Sequence, residues 1–210
     1  MIKILIADDH AIVREGLKQI LAETPDMIVA DEASNGQELI AKMEKSEVDV
    51  VLLDISMPGR NGLEVLKQLK AERPRVSVLI LSMYSEEQYA MRALRAGASG
   101  YLTKESAPDE LIEAIRRVSK GRKYISPSVA EKLAVNLEPG TEKPPHEILS
   151  DREYQVMCMI ASGKTVKEIG DELQLSVKTI STYRSRILEK LDLRNNAALT
   201  HYAIQNRLVE

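Results

Sequence analysis

Over its first 120 residues the chain alternates between short apolar runs and longer amphipathic ones. Aliphatic and β-branched residues cluster at 2–7, 28–33, 48–53, 78–82 and 100–102. Runs this short and this apolar suit strands buried on both faces. Between them, apolar positions recur at helical spacing. Ile12, Leu17, Ile20 and Leu21 share one face of 11–22. Leu63, Leu66 and Leu69 do so in 61–71, and Leu111, Ile112, Ile115 and Val118 in 108–120. Strand–helix alternation repeated five times predicts an α/β unit, a parallel sheet with helices on both faces.

After residue 120 the texture changes. Ser126-Pro127 can open a helix near 129–136. Residues 137–146 hold three Pro and one Gly in ten positions, the composition of a linker. Beyond it only helical periods remain. Ser150 with Glu153 forms a capping box that opens a helix to about Ala161. Thr165 can cap a second helix over 166–173, and Ser176 a third over 177–191. A fourth runs from about Asn195 to Asn206. The turn Gln174-Leu175-Ser176 joins the second and third in a helix-turn-helix pattern. The expected division is 1–120, a connecting stretch 121–146, and an all-α unit 147–210.

Composition narrows the function. Of 210 residues, 44% are hydrophobic and 29% charged, which suits folded domains and not a disordered chain. Seven Tyr are the only aromatics, so the cores are aliphatic. Stacking on single-stranded nucleic acid is thereby a poor candidate for the main activity. A lone Cys158 inside an apolar run excludes a disulfide framework and a multi-cysteine zinc site, and suits a core position. No apolar run reaches 18 residues and no signal peptide precedes Asp8, so the expectation is a cytoplasmic protein without a membrane span.

Charge must be divided before it is used. The net −3 argues against a nucleic-acid binder, but it is an average. Residues 1–120 carry 16 basic against 20 acidic groups, and residues 147–210 carry 9 against 9. Within 176–194 five bases (Lys178, Arg184, Arg186, Lys190, Arg194) face only Glu189 and Asp192. Positive charge is therefore concentrated on the third helix, where a polyanionic duplex would require it. Helical spacing puts Val177, Ile180, Ile187, Leu188 and Leu191 on the core side. Ser181, Thr182, Arg184 and Ser185 point away, toward base edges or nearby backbone. Lys178, Thr179, Arg186 and Lys190 are candidates for phosphates, and Tyr183 for a backbone contact.

In parallel α/β sheets, sites form outside the carboxyl ends of the strands. Asp8 and Asp9 end the first strand, Asp54 the third and Ser82 the fourth, and Lys104 follows the fifth. Three carboxylates at close range repel unless a cation compensates them. Mg2+ accepts such oxygen ligands, and Lys104 adds a fixed positive charge. Cation and ammonium together favour a bound phosphoryl group, and a carboxylate can itself become an aspartyl phosphate. His10 stands at the edge of this set.

These residues carry a resemblance. Ile6-Ala-Asp-Asp-His10, Leu53-Asp-Ile-Ser-Met-Pro-Gly59 with Asn61-Gly62, Leu81-Ser82, and Ala96-Gly-Ala-Ser-Gly-Tyr-Leu-Thr-Lys104 resemble a response-regulator receiver domain, a flavodoxin-like fold. The resemblance implies that Asp54 accepts a phosphoryl group from a sensor histidine kinase. It implies Mg2+ on Asp8, Asp9, Asp54 and the backbone carbonyl of Ser56, and a phosphate paired with Lys104 and Ser82. Ser82 and Tyr101 would be the switch pair, Tyr101 turning inward behind Ser82. Without the family, Tyr101 reads as a half-buried strand tyrosine with its hydroxyl at the surface. After Lys104 the chain has Glu105-Ser106 where the family commonly has Lys-Pro, which leaves the peptide geometry there open.

Leu149-Ser-Asp-Arg-Glu153, Ile160-Ala-Ser-Gly163, Glu168-Ile169, Leu173-Gln-Leu-Ser-Val-Lys-Thr-Ile180 and Leu188-Glu-Lys-Leu191 resemble a LuxR-type (NarL/FixJ) four-helix DNA-binding domain. The whole is then similar to a phosphorylation-controlled transcription regulator, not an enzyme. Its implied partners are the kinase, double-stranded DNA with an inverted repeat, a second copy on activation, and RNA polymerase as a candidate. Two rivals stand beside it. An aspartyl phosphatase would place an acid two residues after the nucleophile, where this chain has Ser56. A phosphorylation-independent regulator would keep the acidic pocket only as structure.

Overall fold

The computed structural model describes residues 1–135 and 144–209. Two compact units divide at residue 130, 1–130 and 131–210.

The first unit is the expected α/β sheet. Its strands are β1 (Ile2–Ala7), β2 (Met27–Ala33), β3 (Val50–Leu53), β4 (Ser77–Ser82) and β5 (Gly100–Thr103). They pair in the order β2-β1-β3-β4-β5, all parallel. The helices between them are α1 (Ala11–Ala22), α2 (Gly36–Met43), α3 (Gly62–Glu72), α4 (Glu86–Arg95) and α5 (Pro108–Val118). Ile4, Ile6, Val50, Leu52, Leu79 and Leu81 form one core with Leu17 and Leu21 of α1 and Leu111, Ile115 and Val118 of α5. The alternate residues Leu5, Val51, Leu53, Val78 and Ile80 are just as buried, which leaves α2, α3 and α4 to cover the other face.

Three helices sit where periodicity puts them. α2 and α4 were not delimited by it, because each buries few large residues: Leu39 and Met43 in α2, Tyr89, Ala90 and Ala93 in α4. The chain after α5 pairs with the sheet once more. Tyr124 forms a parallel bridge to Gly100, and its amide donates to the Ser99 carbonyl at 2.9 Å. A Cβ on Gly100 would lie 2.7 Å from the Tyr124 carbonyl, so this approach needs glycine. A helix, α6 (Pro127–Val135), then begins near the position expected. Residue 136 and the linker positions 137–143 lie outside the described residues.

In the second unit a short 3-10 turn (Pro145–Ile148) leads to α7 (Asp151–Ala161), α8 (Val166–Leu173), α9 (Val177–Lys190) and α10 (Asn196–Gln205). The first three begin at the caps expected from sequence, and Asn195 proves to cap the fourth. Ser150 accepts from the Glu153 amide and Thr165 from the Glu168 amide, each as a complete capping box. Ser176 accepts from the Thr179 amide and Asn195 from the Ala198 amide. Each such cap stabilises its helix by about 1 kcal/mol. α7 is the hub, in contact with α8, α9 and α10. Among the described residues no helix is long and apolar enough to cross a membrane.

Candidate functional site

The sheet order explains the first site. β1 lies between β2 and β3, so the chain reverses direction of winding there and leaves a crevice beyond the carboxyl ends. Ala7 pairs with Leu53, which sets the next residues, Asp8 and Asp54, side by side. The Asp54 amide donates to the Ala7 carbonyl at 2.9 Å, and the Asp8 amide to the Ala33 carbonyl at 3.1 Å. Ser82 pairs with Thr103 at the end of β4 and β5, and the Lys104 amide donates to the Ser82 carbonyl at 2.8 Å. Thus the residues expected to converge do converge.

Their geometry is tight. The Lys104 Nζ lies 2.6 Å from Asp8 Oδ2 and 2.8 Å from Asp54 Oδ2, with all three side chains at most 7% exposed. Burial pushes the Asp54 carboxyl above its ordinary value, while Lys104 pulls it the other way. Burial would lower the Lys104 ammonium, but the carboxylates of Asp54 and Asp8 hold it above its ordinary value. The Ser56 amide donates to Asp54 Oδ1 at 3.1 Å, so the loop that carries the Ser56 carbonyl folds back over the Asp54 carboxylate. That loop closes on Gly62. A Cβ there would lie 2.4 Å from the Asp54 carbonyl and 2.6 Å from Ile55 Cα, and Asn61 caps α3 on the Leu63 amide at 2.8 Å. The approach of α3 to the loop after Asp54 therefore requires Gly62, with Asn61 as the cap. No cis peptide occurs among the described residues, including the segment after Lys104.

The donor set fits a divalent cation. One ligand atom each from Asp8, Asp9, His10 and Asp54 lies within 4.8 Å of the others. Asp9 Oδ1 is buried and accepts no hydrogen bond, although the His10 Nδ1 lies 3.0 Å away. A buried carboxylate oxygen left in this way is an open position for a cation. His10 stands closer to the set than sequence placed it. Its amide donates to Asp8 Oδ1 at 2.8 Å, and its ring is 62% exposed.

Near Asp54 lie Ser82 and Tyr101, the pair expected to act as a switch. Ser82 is fully buried, and its hydroxyl accepts from the Tyr84 amide at 3.2 Å. Tyr101 is only 2% exposed and donates to the Tyr84 carbonyl at 2.8 Å. This corrects the half-buried reading of Tyr101: the ring is inside and its hydroxyl meets backbone. Burial pushes its phenol far above the ordinary range.

The third helix of the second unit, α9, presents the candidate nucleic-acid face. Lys178, Ser181, Thr182, Ser185 and Arg186 are exposed, and Thr179, Tyr183 and Arg184 are partly buried. Ile180 and Ile187 anchor the helix in the core. Several expectations change here. Val177 is 53% exposed, not a core residue, because it opens the helix. The Lys190 Nζ lies 2.7 Å from Oε2 of Glu153, the buried member of the α7 capping box. Lys190 thus ties α9 to α7 and is not a free cation for phosphate. The Arg184 Nε donates to Asn196 Oδ1 at 2.5 Å, and the Thr182 hydroxyl to the Lys178 carbonyl at 2.9 Å. The Thr179 and Ser176 hydroxyls are 2.8 Å apart at the helix start. Partners outside α9 claim Lys190 and Arg184, which helical spacing alone does not reveal, whereas Thr179 and Thr182 bond within the helix and its cap.

Comparison with known proteins completes the picture. Residues 4–116 match the response regulator receiver domain, and residues 147–203 match the bacterial regulatory proteins of the luxR family. Response regulator UvrY of Escherichia coli is 39% identical over 209 residues, 99% of this chain and 96% of that protein. RcsB of Salmonella enterica serovar Typhimurium, solved bound to the promoter rprA with the phosphomimetic BeF3-, superposes with a TM-score of 0.66 at 29% identity, covering 96% of this chain and 98% of that one. A structure of two RcsB dimers bound to two parallel DNAs gives a TM-score of 0.60 at 30% identity, covering 97% of this chain and 98% of that one. The chain belongs to the NarL/FixJ family of response regulators, a receiver domain followed by a LuxR-type helix-turn-helix domain.

Proposed function

We propose that Asp54 accepts a phosphoryl group from a sensor histidine kinase and that the second domain's affinity for DNA rises as a result. The Lys104 ammonium set between Asp8 and Asp54 at the carboxyl ends of the sheet carries this reading. An Asp54 oxygen attacks phosphorus, the O–P bond forms, and the P–N bond to the kinase imidazole breaks with its electron pair leaving on nitrogen. Asp8, Asp9 and Asp54, with the Ser56 carbonyl, would hold Mg2+, which when bound neutralises charge on the phosphoryl oxygens. Lys104 pairs with a phosphoryl oxygen, and Ser82 donates to another. The Ser82 oxygen accepts from the Tyr84 amide, which leaves its hydroxyl proton to donate, and the Tyr84 carbonyl accepts from Tyr101. The loop after β4 therefore links the acceptor to the receiver surface.

The output is a homodimer on an inverted repeat of double-stranded DNA in the cytoplasm, with RNA polymerase as a candidate partner. The RcsB dimers solved on DNA support the dimer reading. Lys178, Ser181, Ser185 and Arg186 on the open face of α9 are its contacts, with Thr179, Thr182, Tyr183 and Arg184 at the flanks. A phosphorylation-independent regulator is the second reading. One observation favours it: Tyr101 is already turned inward onto the Tyr84 carbonyl.

Acetyl phosphate or beryllium fluoride with Mg2+ decides between them. The phosphoacceptor reading expects a larger oligomer and tighter DNA binding in the wild type and neither in Asp54→Ala. Unchanged size and affinity in the wild type would establish the second reading.

A further inference from the structure

We propose that Arg14 is a positioning residue for the cation site, holding the loop after β1 so that Asp8 and Asp9 present their carboxylates together. The proposal rests on the phosphoacceptor reading above. Arg14 lies in the first turns of α1 with its side chain 15% exposed. Its Nη1 donates to the Asp8 carbonyl at 2.8 Å, and its Nε to Glu32 Oε2 at 3.1 Å. Glu32 sits on β2 in register with Ile6 of β1, and Lys18 lies 3.3 Å from the same oxygen. One planar guanidinium thus spans from the peptide joining Asp8 to Asp9 to the neighbouring strand. A fork of donors fixes that peptide in direction as well as in distance, which an ammonium cannot do.

Asp9 makes this tether matter. Its Oδ1 is buried with no hydrogen bond, and its one near neighbour is the largely exposed His10 ring at 3.0 Å. Asp8, in contrast, is held by Lys104 and by the His10 amide. The orientation of Asp9 is left to its backbone, and that backbone begins at the carbonyl Arg14 grips. Glu32 neutralises the guanidinium, so the tether adds no net positive charge against an incoming cation. Groups that orient metal ligands in this manner typically change metal affinity 10- to 100-fold when removed.

The test is Mg2+ binding by calorimetry on the full chain, with 19F NMR of the beryllium fluoride complex. Arg14→Met is expected to weaken Mg2+ about 10-fold. Arg14→Lys, which can reach only one of the two partners, should fall between it and the wild type. Lys18→Met removes the other cation on Glu32 without touching the Asp8 carbonyl, and should bind Mg2+ within about twofold of the wild type. A merely structural Arg14 would lower the melting temperature in both Arg14 variants and leave Mg2+ affinity unmoved. If Arg14→Met does not fold, Arg14→Lys and Glu32→Gln carry the comparison. Affinity within twofold of the wild type in the folded Arg14 variants would overturn the proposal. A wild type that binds neither Mg2+ nor beryllium fluoride would overturn the phosphoacceptor reading instead.

Discussion

Lys104 and Lys190 each have a carboxylate oxygen within 3 Å, yet they do different things. Lys104 is 7% exposed and stands between two carboxylates that are also buried. Lys190 is 40% exposed and secures one buried carboxylate to a helix whose other face is open. At the sheet edge, charge is gathered, dehydrated and mutually compensated before any ligand arrives. On α9, cations such as Lys178 and Arg186 remain in solvent, and a polyanion would be their first counter-charge. The first arrangement suits one small, highly charged group held in a fixed geometry. The second suits a long ligand met by many weak, salt-screened contacts.

Breaking the sheet-edge arrangement should have the largest effect. Lys104→Met leaves Asp8 and Asp54 buried without their cation, a loss of about 3–5 kcal/mol by urea unfolding at neutral pH. The pH dependence has a definite sign. The folded value of Asp54 lies above its ordinary 3.8. Its contribution is therefore fully present below that pH and is lost as pH rises through the folded value. The deficit of Lys104→Met should shrink toward acid pH, and Mg2+ should recover more stability in the variant than in the wild type. A deficit independent of both would mean that the ammonium is not balancing the carboxylates.

Lys190→Met tests the other half. It should cost about 1–2 kcal/mol, because the buried Glu153 loses its partner, and the salt dependence of DNA binding should not change. A shallower salt slope would return Lys190 to the DNA face.

A surface pair with no part in either site sets the baseline. Glu38 stands in the first turn of α2, which Asn35 caps, and pairs with Lys42 at 3.0 Å; the Ser34 amide and hydroxyl with Lys42 hold its carboxyl down to about 2 from 4.5. Glu38→Gln should lose at most about 1 kcal/mol, since solvent screens this pair. The lowered carboxyl contributes above about pH 4.5 and fades as pH falls toward about 2, so wild type and variant should converge in acid. Smallest in stability is Arg186→Ala, within about 0.5 kcal/mol. It should nevertheless reduce the salt slope of DNA binding by about 1. An unchanged slope would remove Arg186 from the interface.

The same contrast explains what was legible in the sequence. Topology forces strand ends together, so Asp8, Asp54, Ser82 and Lys104 could be assigned to one site without a single contact known. Caps were legible too, because Ser150, Thr165 and Ser176 act on amides only three residues away. Less legible were roles fixed by distant partners. Lys190 meets Glu153 across 37 positions and Arg14 meets Glu32 across 18, and helical spacing carries no record of either. α4 leaves little trace in the sequence for a related reason: it packs Ala90 and Ala93, too small to mark a face, around one Tyr89.

The bridge from Tyr124 to Gly100 bears on how the chain behaves when crowded. A sheet border with unpaired amides and carbonyls is a template for a strand from another molecule. Here the β5 border is only four residues long, and its first residue is already paired with Tyr124. At the opposite border, β2 carries Asp31 and Glu32, charges that repel a matching strand from a second copy. Neither border invites open-ended stacking into fibres. That leaves helix faces as the open surfaces, and a contact there that is isologous closes on itself after two partners.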